Sequence, residues 1–249
     1  MLNLTLVTLC LLLLLVATVC AADEPAPNLD RFLAKLDAGQ QVTVVALGDS
    51  NTELTFHTRG QLNWVGLLQV ALFDKYGADR VIMINAGCSG DSAAQGLARL
   101  DRDVLRFDPD LVLLCFWDGD MAPLREIVAR VKASGKCDVL LRTPNPIVAM
   151  NMPPVTPPVG ANQEWPGTNK GEVATKMVAL AAELHLPIVD HYTAWVTADA
   201  SHAGPGVSNP NKLWCRMSDA FHPGPLGHLA FYHELAPIFK LPQKLPWEL

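Results

Sequence analysis

The sequence predicts an α/β fold, a three-layer α/β/α sandwich around a five-stranded parallel sheet, and two observations carry that expectation. From Asn28 onward, strand-like and helix-like segments alternate along the chain, the order that lays parallel strands side by side with helices on both faces. The third strand-like segment, Leu111–Phe116, is apolar at every position, as a strand buried on both faces must be.

Taken in order, Val42–Leu47 is a β-branched apolar run that stops at Gly48. Gln61–Tyr76 follows with Leu62, Val65, Leu68 and Leu72 at helical spacing. Val81–Asn85 is the second strand, ending in Ala86-Gly87, and Asp91–Leu105 reads as one helix with Ala94, Leu97, Ala98 and Leu105 toward the core. After Leu111–Phe116 come a helix over Pro123–Ala133, a strand over Asp138–Leu141 and a helix over Gly171–His185. A short strand over Pro187–Asp190 and a closing helix over Leu226–Phe239 complete the pattern. Two long connections interrupt it: Thr143–Asn169, rich in Pro, and Tyr192–Ser218, rich in Gly, Ser and Asn. Both are expected to be loops over the carboxyl edge of the sheet, where sites in such folds lie. There is no internal repeat and no second domain.

Met1–Ala22 carries no charged side chain, is aliphatic through Leu9–Val16 and ends in small residues. This is the pattern of a signal peptide over 1–22, leaving a domain over 23–249 that is exported to a periplasm or the outside. The alternative is an uncleaved segment that anchors the chain in a membrane. Bulky Val19 disfavours a lipid anchor at Cys20. With 25 acidic against 19 basic side chains and no basic run, nucleic acid is not expected as a partner. Of the cysteines, Cys88, Cys115, Cys137 and Cys215 lie beyond the leader. Their spacing fits neither a zinc site nor a disulfide framework, so pairing stays open.

The chemistry concentrates at two places. Ser50 stands at a strand-to-loop corner in Gly48-Asp49-Ser50, exposed where a base could take its proton. Near the other end, Asp219 precedes His222 by three positions in Asp219-Ala220-Phe221-His222-Pro223. At that spacing the carboxylate can curl back to the imidazole Nδ1 and leave Nε2 free as a base. Each fragment alone is ordinary turn chemistry.

Together, a serine after the first strand and an Asp-x-x-His before the last helix resemble the SGNH (GDSL) hydrolase family, from about Val42 to Phe239. The resemblance implies a serine esterase or acylhydrolase in which Ser50 is the nucleophile, His222 the base and Asp219 its orienting partner. Its second block is matched by Asn85-Ala86-Gly87-Cys88-Ser89-Gly90-Asp91, which implies the Gly87 N–H as an oxyanion donor beside that of Ser50. The third block departs. The family's Gly-x-Asn-Asp is replaced by Trp117-Asp118-Gly119-Asp120, so Gly119 stands where an oxyanion-donating Asn is expected. One such donor is worth on the order of a hundred- to a thousand-fold in rate. Asn51 and Asn145, near strand ends, are candidates to replace it.

No metal or organic cofactor is expected. His222, His228 and His233 do not share one helix face, and Asp49 and Asp91 are accounted for as turn and capping residues rather than a glycosidase pair. Trp117, Trp165, Trp195 and Trp214 could stack on sugar rings if their loops converge. Within its class the resemblance allows carbohydrate deacetylation, hydrolysis of lipid or other small-molecule esters, or acyl transfer, and export together with the tryptophans favours carbohydrate esters. Two rivals remain: a glycan-binding domain that kept the fold without catalysis, and a flavodoxin-like phosphate binder, which leaves Asp219 and His222 unexplained.

Overall fold

A computed structural model describes residues 28–53, 57–148, 169–201 and 212–248. The leader over 1–22, Trp165, most of the first long connection and residues 202–211 of the second fall outside the described residues.

The sheet has five parallel strands in the order β2-β1-β3-β4-β5. They are β1 (Val42–Gly48), β2 (Val81–Gly87), β3 (Leu111–Cys115), β4 (Asp138–Arg142) and β5 (Ile188–Val189). Period-two alternation sorts their side chains into two cores. Val44, Ala46, Leu111 and Leu113 face one layer, which contains α1 (Asp30–Asp37), α2 (Trp64–Tyr76) and α9 (Pro225–Leu235). Val45, Leu47, Val112 and Leu114 face the other, packed by α3 (Ala93–Ala98), α5 (Met121–Lys132) and α6 (Lys170–Glu183). The expected sandwich is therefore present.

Helix starts follow from local capping chemistry. Asn63 accepts from Gly66 N–H, Asp120 from Ala122 N–H and Asn169 from Glu172 N–H. Ser92 and Gln95 form a reciprocal capping box, and Pro225 opens α9.

Three expectations need correction. The single helix over 91–105 is broken: α3 stops, α4 (Leu100–Asp103) follows, and a 3-10 turn spans Leu105–Phe107. The break is at Arg99, whose backbone leaves helical geometry while its guanidinium reaches the strand ends. The connection expected as loop from Tyr192 begins instead with α7 (His191–Ser201), and α8 (Leu213–Arg216) closes it. Ala and Thr dilute the apolar stripe of α7, which is anchored by the fully buried His191 and Trp195, the latter stacked on Phe231 at 4.8 Å. The closing helix ends at Leu235, with a 3-10 turn over Ala236–Phe239.

Candidate active site

The site forms at the carboxyl ends of β1, β2 and β3. Gly48, the last residue of β1, must be bare: a Cβ there would lie 2.2 Å from Thr52 Oγ1 and 2.7 Å from the Cys115 carbonyl oxygen. The chain turns at once, with Thr52 and Glu53 N–H donating to the Asp49 carbonyl. Side chains from elsewhere fasten this turn. Trp64 Nε1 donates to the Asn51 carbonyl (2.9 Å), and Asn63 and Asn85 amides donate to the Thr52 carbonyl (3.1 and 2.6 Å). Ser50 thus sits on a rigid corner.

His222 Nε2 lies 3.1 Å from Ser50 Oγ, and Asp219 Oδ2 lies 2.8 Å from His222 Nδ1. Asp219 Oδ1 also accepts the N–H of Phe221 and of His222, each at 2.7 Å. Partial burial pushes the Asp219 carboxyl up, but these N–H groups and the imidazole together hold it below the usual carboxylate range. The arrangement can pass a proton from a hydroxyl to an imidazole whose tautomer a carboxylate fixes.

His57, which the sequence reading did not single out, packs its ring face to face on His222, with centroids 4.0 Å apart and planes 8° from parallel. Its Nδ1 lies 2.8 Å from Ser218 Oγ and 3.6 Å from Asp219 Oδ2. Burial and the neighbouring His222 hold the His57 imidazole below its ordinary value. His57, Asp219 and His222 have ligand atoms within 4.8 Å of one another, the one cluster of metal-ligand type among the described residues. The stacked rings place their in-plane lone pairs in parallel planes, so both cannot point at one ion without a ring turning.

A pocket of about 380 Å³ opens over Ser50, lined by Asp49, Asn51, Ser89, Gly90, Trp117, Lys170, Phe221 and His222. Two expected positions fall elsewhere. Gly87 does not line it; its N–H donates to Asn85 Oδ1 at 2.9 Å, and a Cβ there would lie 2.2 Å from Glu53 N. From that block, Ser89 and Gly90 face the pocket, with Gly90 in the left-handed region at φ 81°. Gly119 is also outside. A Cβ there would meet Val173 and approach Lys176 on α6, whereas Trp117 is the residue after β3 that enters the pocket.

Asn51 lines the pocket and donates to Asn145 Oδ1 (2.8 Å), whose own amide is committed to the Pro146 and Phe221 carbonyls. Trp195 is in the core, so the four tryptophans do not all converge; among the described residues Trp117, 38% exposed, is the one that lines the pocket. Asp49 is buried, accepts the Asn51 N–H and has its carboxyl pushed up by that burial. Asp91 is held by Arg99 at 2.6 Å. His228 accepts from Trp64 N–H, and His233 meets Glu248. No disulfide joins Cys88, Cys115, Cys137 and Cys215.

Residues 46–230 match the GDSL-like lipase/acylhydrolase family. The chain belongs to that family. It is accordingly an ester-hydrolysing enzyme with the SGNH hydrolase fold. No curated protein matches the sequence. Among solved structures, an acetylxylan esterase from Geobacillus stearothermophilus, Axe2, is similar with a TM-score of 0.64 and 18% identity over 84% of this chain and 98% of that one. Catalytic mutants of Axe2 replace a serine, an aspartate and a histidine, the last two three positions apart. A two-domain esterase (CEX) active on acetylated mannans, co-crystallised with mannopentaose, gives a TM-score of 0.64 at 19% identity, over 89% of this chain and 55% of its own. LAE5, an alpha/beta hydrolase enzyme from the Lake Arreo metagenome, gives 0.57 at 19%, over 81% of this chain and 96% of its own.

Proposed function

We propose that the chain is an exported serine esterase that removes small acyl groups, acetyl foremost, from carbohydrate esters through an acyl-enzyme. The observation that carries the reading is the relay from Asp219 to His222 to Ser50, with both heavy-atom distances within hydrogen-bond reach. His222 takes the proton as Ser50 Oγ adds to the ester carbonyl, then gives it to the departing alcohol. Water repeats the sequence to release the acid. The Ser50 and Gly90 N–H groups, neither with an acceptor among the described residues, are the backbone donors we assign to the oxyanion. The pocket's size suits a short acyl group, and Trp117 at its rim offers a face for a sugar ring. The esters named for Axe2 and the mannan esterase favour the same substrate class. Export rests on the apolar leader alone.

The test is hydrolysis of acetylated xylo- and manno-oligosaccharides by residues 23–249, with Ser50→Ala and His222→Ala beside the parent. Both variants should lose activity by at least a thousandfold while keeping the parent's circular dichroism. A phosphonate probe should label the parent at Ser50. A parent that neither turns over esters nor reacts with the probe would leave the glycan-binding reading.

A further inference from the structure

Lys170 opens α6, yet it is only 6% exposed and lines the pocket with Ser50. Lysine is almost never buried without a partner. Here Nζ donates to the Trp117 carbonyl at 2.9 Å and lies 4.9 Å from the centre of the Trp117 ring. An ammonium carries three N–H donors, and no second acceptor for it is recorded among the described residues. The acidic groups close enough to act on its charge are Asp49 and Asp118, with the Cys115 thiol. One carboxylate oxygen of each acid is already occupied, by the N–H of Asn51 and of Ala93 respectively. Lys170 is therefore a pocket-lining residue whose head is held just beyond the end of β3, with donor capacity to spare.

We propose that Lys170 is a catalytic residue that donates a hydrogen bond to the oxyanion formed when Ser50 Oγ adds to the ester carbonyl. In that step the Oγ–C bond forms, the carbonyl π pair moves onto oxygen, and the Ser50 proton passes to His222 Nε2. Lys170 keeps its proton throughout. On collapse the oxygen pair re-forms the carbonyl, the C–O bond to the alcohol breaks, and His222 returns its proton to the leaving oxygen. A cationic donor at this position acts on charge that is absent from the bound ester, so it lowers the barrier more than it tightens binding. The assignment rests on Ser50 being the nucleophile. It also supplies a side-chain donor near the end of β3, where Gly119 has no side chain to offer one. Burial lowers the basicity of Lys170, with Asp49 opposing it, so the donor's charge should be lost at alkaline pH before that of an unperturbed lysine at about 10.4.

The experiment measures kcat and KM on 4-nitrophenyl acetate against pH for the parent, Ser50→Ala, Lys170→Met and Lys170→Arg, with thermal unfolding of each. Lys170→Met should lower kcat on the order of a hundredfold, keep KM within about threefold, and abolish the parent's alkaline fall in kcat. Lys170→Arg, which retains a cationic donor, should keep more of the rate than Lys170→Met. A folded Lys170→Met with the parent's kcat, or a parent whose kcat is flat to about pH 10, overturns the assignment. If Lys170→Met fails to fold, it is combined with Asp49→Asn to remove both buried charges and compared with Asp49→Asn alone. A double variant as fast as that reference means that Lys170 merely balances Asp49, and overturns it; a folded but slow double variant supports it. Ser50→Ala at the parent's rate would overturn the nucleophile reading, a result separable from failure of the Lys170 assignment alone.

Discussion

Replacing Arg99 by Met should damage this protein more than any exposed charge change, because one guanidinium ties together the ends of β1 and β2, whose following loops line part of the pocket. Its side chain is 11% exposed. Nη2 donates to the Gly48 carbonyl at 2.9 Å, Nη1 to the Ala86 carbonyl at 2.7 Å and to Asp103 at 3.2 Å, and Nε to Asp91 at 2.6 Å. Met matches the length of the stem but leaves two carbonyls without this donor and the Asp91 carboxylate, 12% exposed, without its counter-charge. Breaking a buried pair by removing one partner costs about 3–5 kcal/mol. For a domain of this size that corresponds to a fall in Tm of roughly 6–20 °C. Arg99→Lys should recover only part of the loss, since an ammonium cannot span four acceptors in a fixed fork. Thermal and urea unfolding of the parent, both variants, and Arg99→Met combined with Asp91→Asn would measure this. In the combination the orphaned charge is gone, so its loss should be smaller than that of Arg99→Met alone. A loss below about 1 kcal/mol for Arg99→Met would refute the reasoning, because the fork would then be behaving as a surface ion pair.

Other expectations follow from particular contacts. Gly96→Ala puts a Cβ 2.2 Å from Phe116 Cζ in a fully buried contact, so it should destabilise by about 1–3 kcal/mol in urea unfolding; an unchanged midpoint would be inconsistent with this packing. His57→Ala removes the ring stacked on His222 and should cut kcat by about tenfold with little change in KM. His57→Phe, which keeps a ring there, should lose less in the same assay, and equal losses would discount the stack. Burial pushes the Glu234 carboxyl up to about 8, so the folded chain retains a proton that the unfolded chain releases near the ordinary glutamate value of about 4.3. The associated stability is full below that value and is lost as pH rises through about 8. Tm should therefore fall over that window by roughly 5 °C or more, and Glu234→Gln should flatten the slope.

The sequence alone determined the layers, the strand positions and most helix starts, because these rest on local rules. Continuous apolar runs mark strands buried on both faces, and Asn63, Ser92, Asp120 and Asn169 cap the helices that follow them. The pairing of Asp219 with His222 was legible for the same reason, being a contact across three residues. The elements that stayed illegible lacked a periodic signal: α7 carries its burial on His191 and Trp195, and the broken α3–α4 segment is set by where Arg99 must reach.

Tertiary structure decided the rest of the site. Ser50 and His222 are 172 residues apart, and only the folding of the last connection onto the β1 edge sets their separation. Whether Gly87 or Gly90 faces the pocket depends on how β2 ends against the Ser50 turn, and a string of glycines gives no direction of its own. His57 and Lys170 lie among segments without a motif. Their roles arise because a stacked ring and a buried ammonium acquire their neighbours from distant elements, through packing that short-range spacing does not encode.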